Sequence, residues 1–372
     1  MNQELGLRVL SQVLGWDDDR AREEFSRLSI LARYKYDSYR DFVAGARFIE
    51  KLAEWLQQFD LSDRDAAYRF VQENLIYLTP SEINHLVELC FPERLQPALR
   101  AATATDLGIK PYLVWADSSS RTSYARLLRS SLFIGLSDGA RIDAFRRANA
   151  GIVSNEQVLL ALEISDEKWE QVLKDLREDL DEASAKFKMV FLIDDFAGTG
   201  STLIRYDDEK KRWKGRLEKL WENIQDKLQT HFSEDWRLHI HHYIATKRAS
   251  RYISESEDKR RDAAKGSPWL PKIDYSFGTI LGDVLSVSKQ SHPEFFAVME
   301  RYYNPSIQTK HTNVGGSENI SNGYGDCGLP LILEHNTPNN SIALLWAECD
   351  QKTSPPIAPA MRPLFRRRQR HS

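Results

Sequence analysis

From Glu4 to about Leu99 the apolar residues return at helical spacing. Leu5, Val9, Leu10, Val13 and Leu14 follow one face, and Phe42, Ala46, Phe48, Ile49, Leu52 and Leu56 follow another. Steps of three and four put side chains on one side of an α-helix, so the pattern predicts helices with an inward stripe. Asp60-Leu61-Ser62-Asp63 reads as a helix stop followed by an N-cap. Thr79-Pro80-Ser81-Glu82 reads as a helix start, with the Thr79 hydroxyl as N-cap and Pro80 in the first turn, where no donor is needed. Residues 1–105 are expected to form a helical domain that contributes no chemistry.

After Gly108 the pattern changes to short apolar runs separated by helical stretches. Tyr112-Leu113-Val114-Trp115, Leu132-Phe133-Ile134-Gly135-Leu136, Lys188-Met189-Val190-Phe191-Leu192-Ile193 and residues 238–246 read as strands. Continuous apolar runs of this length suit strands covered on both faces. An Arg-rich helical stretch follows Asp117-Ser118-Ser119-Ser120, and helices are expected over residues 142–148, 156–164, 166–180 and 210–228, with another beginning at about Ser201. Alternating strands and helices predict an α/β layer with a parallel sheet over residues 106–285. Residues 286–372 read as a small α+β and loop cap. It holds a long polar loop at 304–326, two short strands at 329–333 and 341–346, and the turn Thr337-Pro338-Asn339-Asn340 between them. A basic tail with five Arg between Arg362 and Arg370 closes the chain.

Composition narrows this picture. The 372 residues are 41% hydrophobic and 28% charged, ordinary for a globular protein, and the net charge of −3 gives no overall basic field to draw in nucleic acid. Cys90, Cys327 and Cys349 form no C-x-x-C pair, which argues against a disulfide framework or a zinc site. No run approaches the ~20 apolar residues of a membrane span. A soluble, cytoplasmic protein is expected.

The chemistry concentrates in Val190-Phe191-Leu192-Ile193-Asp194-Asp195-Phe196-Ala197-Gly198-Thr199-Gly200-Ser201-Thr202. A buried parallel strand delivers its carboxyl end to the crevice where open α/β sheets bind ligands. Asp194 and Asp195 there can accept from vicinal sugar hydroxyls. Gly198 and Gly200 allow close backbone approach to an anion, Thr199, Ser201 and Thr202 add hydroxyl donors, and a following helix would supply N–H groups. A Walker A loop is excluded because no Lys precedes Ser201 or Thr202. A dinucleotide fingerprint fails at Leu203, where its third Gly belongs.

This segment resembles the ribose-phosphate motif of type I phosphoribosyltransferases, an apolar strand running into two acids and a Thr-Gly-x-Thr loop. The resemblance implies that fold, with Asp194 and Asp195 on the ribose 2- and 3-hydroxyls and Ala197, Gly198, Thr199, Gly200, Ser201 and Thr202 around the 5-phosphate. It implies chemistry at C1 of a 5-phosphorylated ribose, with phosphoribosyl pyrophosphate or a nucleotide as ligand and Mg2+ accompanying it rather than bound directly by the protein. Purine-type members place an Asp where this chain has Gly198, which puts purine-salvage chemistry in doubt. A pyrophosphate loop is also implied. Ser137-Asp138-Gly139-Ala140-Arg141 is the first candidate and Asp117-Ser118-Ser119-Ser120-Arg121 the second.

A wider order of segments is similar to phosphoribosyltransferase-like effectors of bacterial anti-phage systems, some of them retron-coupled. It comprises Gly135-Leu136-Ser137-Asp138-Gly139-Ala140-Arg141-Ile142-Asp143, the acid-pair loop, Trp213-Lys214-Gly215, Asn336-Thr337-Pro338-Asn339-Asn340 and Leu364-Phe365-Arg366-Arg367. It implies a toxin or effector role, with a protein partner or a reverse transcriptase and its RNA–DNA product. The alternative is a non-catalytic module that senses a nucleotide or phosphoribosyl pyrophosphate and regulates a partner.

Outside this motif, His239 and His241 share one strand face, which fits a polar face better than a metal pair, since no third ligand is apparent. Lys247 and Arg248 follow the same strand and can reach the crevice or form a solvated turn. Asn336 to Asn340 read as a turn before a pocket cap. The charged run at residues 207–212 reads as a solvated insertion, and the Arg tail as a nucleic-acid contact or a disordered end.

Overall fold

A computed structural model describes residues 3–42, 47–264, 266–309, 312, 319–353 and 357–367. Ala46, eight residues of the polar stretch (310, 311 and 313–318) and the tail beyond Arg367 lie outside them. In chain order the elements begin with α1 (Gln3–Leu14), α2 (Asp18–Tyr34), α3 (Phe48–Gln57), α4 (Leu61–Asn74), β1 (Ile76–Leu78), α5 (Pro80–Cys90), α6 (Gln96–Leu107) and α7 (Ser118–Arg129). Then come β2 (Ser131–Gly135), α8 (Ile142–Ala148), β3 (Val158–Leu159), α9 (Asp166–Asp179), β4 (Phe187–Ala197), β5 (Arg205–Asp207), β6 (Arg212–Lys214), α10 (Arg216–Ile224) and α11 (Leu228–His231). The chain continues through β7 (Phe232–Thr246), α12 (Lys247–Ala263), β8 (Ile273–Leu281), α13 (Pro293–Arg301), β9 (Leu331–Leu333) and α14 (Ala343–Trp346).

These elements divide into two compact units, one of residues 1–82 and 282–372, the other of residues 83–281. The division differs from three consecutive domains: the N-terminal helices and the C-terminal segment share one unit. Its physical basis is pairing across the chain. β1 lies parallel to β9, with Ile76 opposite Leu331 and Leu78 opposite Leu333. Trp55 is fully buried and donates from Nε1 to the Leu344 carbonyl at 2.8 Å. Phe365 stacks on Phe48 with ring centroids 5.8 Å apart. The apolar stripe of α3 is therefore covered by residues nearly three hundred positions later.

The second unit is built on a five-stranded, all-parallel sheet in the order β3-β2-β4-β7-β8, with β4 in the middle. One face packs Leu132, Ile134, Val190, Leu192, Leu238 and Ile240 against Trp169, Leu176, Leu217 and Ile253. On the other face Phe133 stacks on Phe191 at 5.1 Å and Phe145 covers Phe133 at 5.4 Å. Both faces being buried is the reason the central strands read as continuous apolar runs.

Several local expectations are corrected. Pro111, Tyr112, Leu113, Val114 and Trp115 form a 3-10 helix, begun by the fixed φ of Pro111, and Tyr112 and Trp115 are exposed. Residues 156–164 are no helix: Ser154 and Gln157 make a capping box around a 3-10 turn, and Val158 and Leu159 then join the sheet edge. Residues 341–346 end in the helical turn α14, whose four side chains are all buried. A short apolar run without alternation does not separate strand from buried helix. No helix begins at Ser201, and the charged run at 207–212 closes the antiparallel β5–β6 hairpin rather than starting a helix at 210.

Candidate functional site

β4 outlasts one of its neighbours. β2 ends at Gly135, opposite Ile193, whereas β7 stays paired with β4 through Asp194 opposite His242 and Ala197 opposite Ala245. Asp194 and Asp195 thus stand on the strand itself, beside a notch where β2 has ended. The turn of residues 137–141 fills that notch. Ser137 Oγ donates to Asp194 Oδ1 at 2.5 Å and accepts from the Gly139 N–H at 3.2 Å. A Cβ on Gly139 would lie 2.6 Å from Asp195 Cγ, so the turn backbone and the second acid meet there. The Ala140 carbonyl accepts from the buried Tyr243 hydroxyl at 3.0 Å. Arg141 takes a left-handed conformation, φ 46°, and reaches Asn84 Oδ1 at 2.9 Å. The first candidate loop and the acid pair are therefore adjacent. The second candidate starts α7: Asp117 accepts from the Ser120 N–H at 2.9 Å, an ordinary N-cap.

Beyond Ala197 the chain turns sharply. Gly200 has φ 80°, which favours glycine, and any Cβ there would sit 2.6 Å from Ile253 of α12. Thr199 and Ser201 hydroxyls lie 2.8 Å apart. The Leu203 and Ile204 N–H groups both return to the Gly200 carbonyl. Arg205 Nη1 donates to the Ser201 carbonyl at 2.9 Å, and the Arg216 N–H to that of Thr202 at 3.1 Å. The helix against this loop is α12, not one that follows it. Thr246, its N-cap, donates to the Gly198 carbonyl at 2.6 Å while accepting from the Ala249 N–H at 2.9 Å. Lys247 and Arg248 are exposed in the first turn of α12. A seventeen-residue helix thus begins beside residues 198–200, with its positive end and two cations.

Sequence reading missed Arg216. Its Nη1 lies 2.7 Å from Asp194 Oδ2, and both side chains are largely buried. The signal was Gly215, whose φ of 124° places the start of α10 against the backbone of Leu203 and Ile204. Burial and the neighbouring Asp195 charge push the Asp194 carboxyl up to about 7, against the opposing pull of Arg216 and Ser137. On β7, His239 Nε2 and His241 Nδ1 flank the Ser276 hydroxyl at 2.7 and 2.8 Å. Burial holds both rings, and His242, well below the ordinary histidine range. The pair lies within a buried polar face of the strand.

The model of the PRTase-CE family, a phosphoribosyltransferase-like group, matches residues 52–367. This chain belongs to the PRTase-CE family. No curated protein and no solved structure matches it. The family match spans both units of this PRTase-CE protein, including the acid pair, the turn at 137–141 and the segment from Asn336 to Asn340. That last segment lies in the other unit, where Asn340 Nδ2 donates to the Tyr324 carbonyl at 3.1 Å. Within the same unit, Arg366 pairs with Glu348 at 2.9 Å. Among the described residues, no helix is long and apolar enough to cross a membrane.

Proposed function

We propose that this PRTase-CE protein is an enzyme making or breaking a bond at C1 of a 5-phosphorylated ribose, with phosphoribosyl pyrophosphate or a nucleotide as substrate. One observation carries the reading: an acid pair and a glycine-hydroxyl loop stand side by side where the central parallel strand emerges, with the start of α12 against the loop. In this reading the acids accept from the ribose hydroxyls. Ala197, Gly198, Thr199, Gly200, Ser201 and Thr202 surround the 5-phosphate, aided by the positive end of α12, Lys247 and Arg248. The turn at 137–141 faces the pyrophosphate. As the C1 bond breaks, positive charge develops on the ring, and the fixed carboxylates beside it lower the barrier by position and charge. Among the described residues no three His, Cys, Asp or Glu side chains converge on a cation site. In this reading magnesium would enter with the substrate, carried by its pyrophosphate.

The order of motifs along the chain supports an effector or toxin role in anti-phage defence, acting in the cytoplasm. Its partner would be a protein or a reverse transcriptase with its RNA–DNA product, and the Arg-rich tail is a candidate contact for the nucleic acid. A second reading rests on Gly198, which has no side chain to exchange a proton with an acceptor. There the same cradle senses phosphoribosyl pyrophosphate or a nucleotide and regulates a partner without turnover.

Two measurements test these readings. Phosphoribosyl pyrophosphate with magnesium is titrated into the wild type and into the Asp194→Asn, Asp195→Asn double variant, and pyrophosphate release is followed. Loss of two charge-assisted acceptors, each contributing on the order of 1.5–3 kcal/mol, weakens binding at least tenfold. Binding with pyrophosphate release supports the enzyme. Binding without release supports the sensor. No binding removes phosphoribosyl pyrophosphate as the ligand from both readings and leaves a nucleotide to be titrated in the same way.

A further inference from the structure

Two side chains of β7, three positions apart, hold the two chain turns that stand beside the acid pair. The Tyr243 hydroxyl donates to the Ala140 carbonyl at 3.0 Å, and the Thr246 hydroxyl donates to the Gly198 carbonyl at 2.6 Å. Successive residues of a strand project to opposite faces, so β7 reaches the two turns from different sides. The strand is itself fixed there, paired with β4 as far as Ala245 and with β8 as far as Thr246. A Cβ on Gly278 of β8 would lie 2.6 Å from the Tyr243 carbonyl oxygen, so β8 packs directly on the backbone that carries this tyrosine. Tyr243 is fully buried, and burial pushes its hydroxyl well above the ordinary tyrosine value, which keeps it a donor.

What each hydroxyl fixes is a peptide plane. In a trans peptide the carbonyl and the following N–H point in opposite directions. Holding the Ala140 carbonyl therefore aims the Arg141 N–H, and holding the Gly198 carbonyl aims the Thr199 N–H, each away from the hydroxyl that grips its peptide. Backbone donors aimed before a ligand arrives can meet phosphate oxygens without a further cost of ordering the loop. We infer that Tyr243 and Thr246 are positioning residues that hold the 137–141 turn and the 198–202 loop at a fixed spacing. That spacing selects a ribose with phosphate groups at both C1 and C5 over one phosphorylated at C5 alone. The inference rests on the phosphorylated-ribose reading above and deepens it, assigning the preference to the strand that carries both tethers. Neither hydroxyl needs to touch the ligand, because each acts through the peptide it holds.

The test is the ratio of affinities for phosphoribosyl pyrophosphate and ribose 5-phosphate, each with magnesium, measured by calorimetry on the full chain. The wild type should bind phosphoribosyl pyrophosphate more tightly. Tyr243→Phe keeps the ring and its packing and removes only the hydroxyl. It should weaken phosphoribosyl pyrophosphate about tenfold, the order of one lost buried hydrogen bond, and leave ribose 5-phosphate unchanged. Thr246→Val should weaken both ligands alike and keep the ratio, and Thr246→Ser, which retains a hydroxyl, should keep wild-type affinity for both. A general loosening of the fold moves the two ligands together and leaves the ratio where it was. Hydrogen exchange on the wild type gives a second measurement that needs no variant. Phosphoribosyl pyrophosphate should slow exchange over residues 138–141 and 198–202, and ribose 5-phosphate over 198–202 alone. An unchanged ratio in Tyr243→Phe, or equal protection of the 137–141 turn by both ligands, overturns the inference. A wild type that binds both ligands equally overturns it while the ribose-phosphate reading stands. A wild type that binds neither removes phosphoribosyl pyrophosphate as the ligand, and the inference falls with it.

Discussion

The Thr246 hydroxyl lies 2.6 Å from the Gly198 carbonyl while it caps the first turn of α12. One side chain thus joins the loop after β4 to the helix after β7, and does so at the end of both strands. Thr246→Val keeps the shape and removes both bonds. Stability should fall by about 1–2 kcal/mol, the usual range for a lost cap with a buried hydrogen bond. Urea unfolding measures the loss, and phosphate affinity should fall with it because the loop is no longer held.

Arg216 and Asp194 form an ion pair in which both side chains are mostly out of water. Arg216→Leu leaves the carboxylate without its cation, a change that costs on the order of 3 kcal/mol. Adding Asp194→Asn to that variant should restore part of the loss, because the stranded charge is gone. A double-mutant cycle in urea gives the coupling. Strictly additive effects would mean the pair contributes nothing.

Gly200 tests the loop from another side. Its φ of 80° and the 2.6 Å approach of Ile253 Cγ1 to a Cβ both oppose Gly200→Ala. The expected loss is about 1–3 kcal/mol, from the left-handed backbone and from displaced packing on α12. Ile253→Ala combined with Gly200→Ala should return the steric share and leave the backbone share.

The buried histidines of β7 set a pH dependence. Burial holds His239 at about 4, His241 at about 3 and His242 at about 4, below the ordinary 6.5. The unfolded chain takes up these protons first. Stability is therefore full above pH 6.5 and declines as pH falls toward 4, by about 1.4 kcal/mol per pH unit for each histidine. Asp194 opposes one such slope, since its raised carboxyl binds a proton in the folded state from about pH 7 downward. Chemical denaturation across this window should show the decline, and His239→Gln should make it shallower by about one histidine's share.

Much of this protein was already legible before folding. The run from Val190 to Ile193 is apolar at every position, and a strand buried on both faces is its natural form; it lies in the central strand of a parallel sheet. The helices at 142–148 and 166–179 follow from local spacing and from caps such as Ser165, whose hydroxyl accepts from the Lys168 N–H. Asp194, Asp195 and the glycine-hydroxyl loop are contiguous, so their nearness is covalent. What sequence could not settle depends on partners distant in the chain. Whether Ser201 opens a helix was decided by Gly200, whose packing against Ile253 turns the chain into the β5–β6 hairpin. Whether residues 1–82 stand apart from the C-terminal segment was decided by β1 pairing with β9 across more than two hundred residues. That the Asp194 carboxylate is held between Ser137 and Arg216 was decided by a meeting that occurs only in the folded sheet. Local sequence determines the geometry that dihedral preferences and covalent spacing control. Burial and charge pairing belong to the fold, because they are set by which distant groups displace water from a side chain.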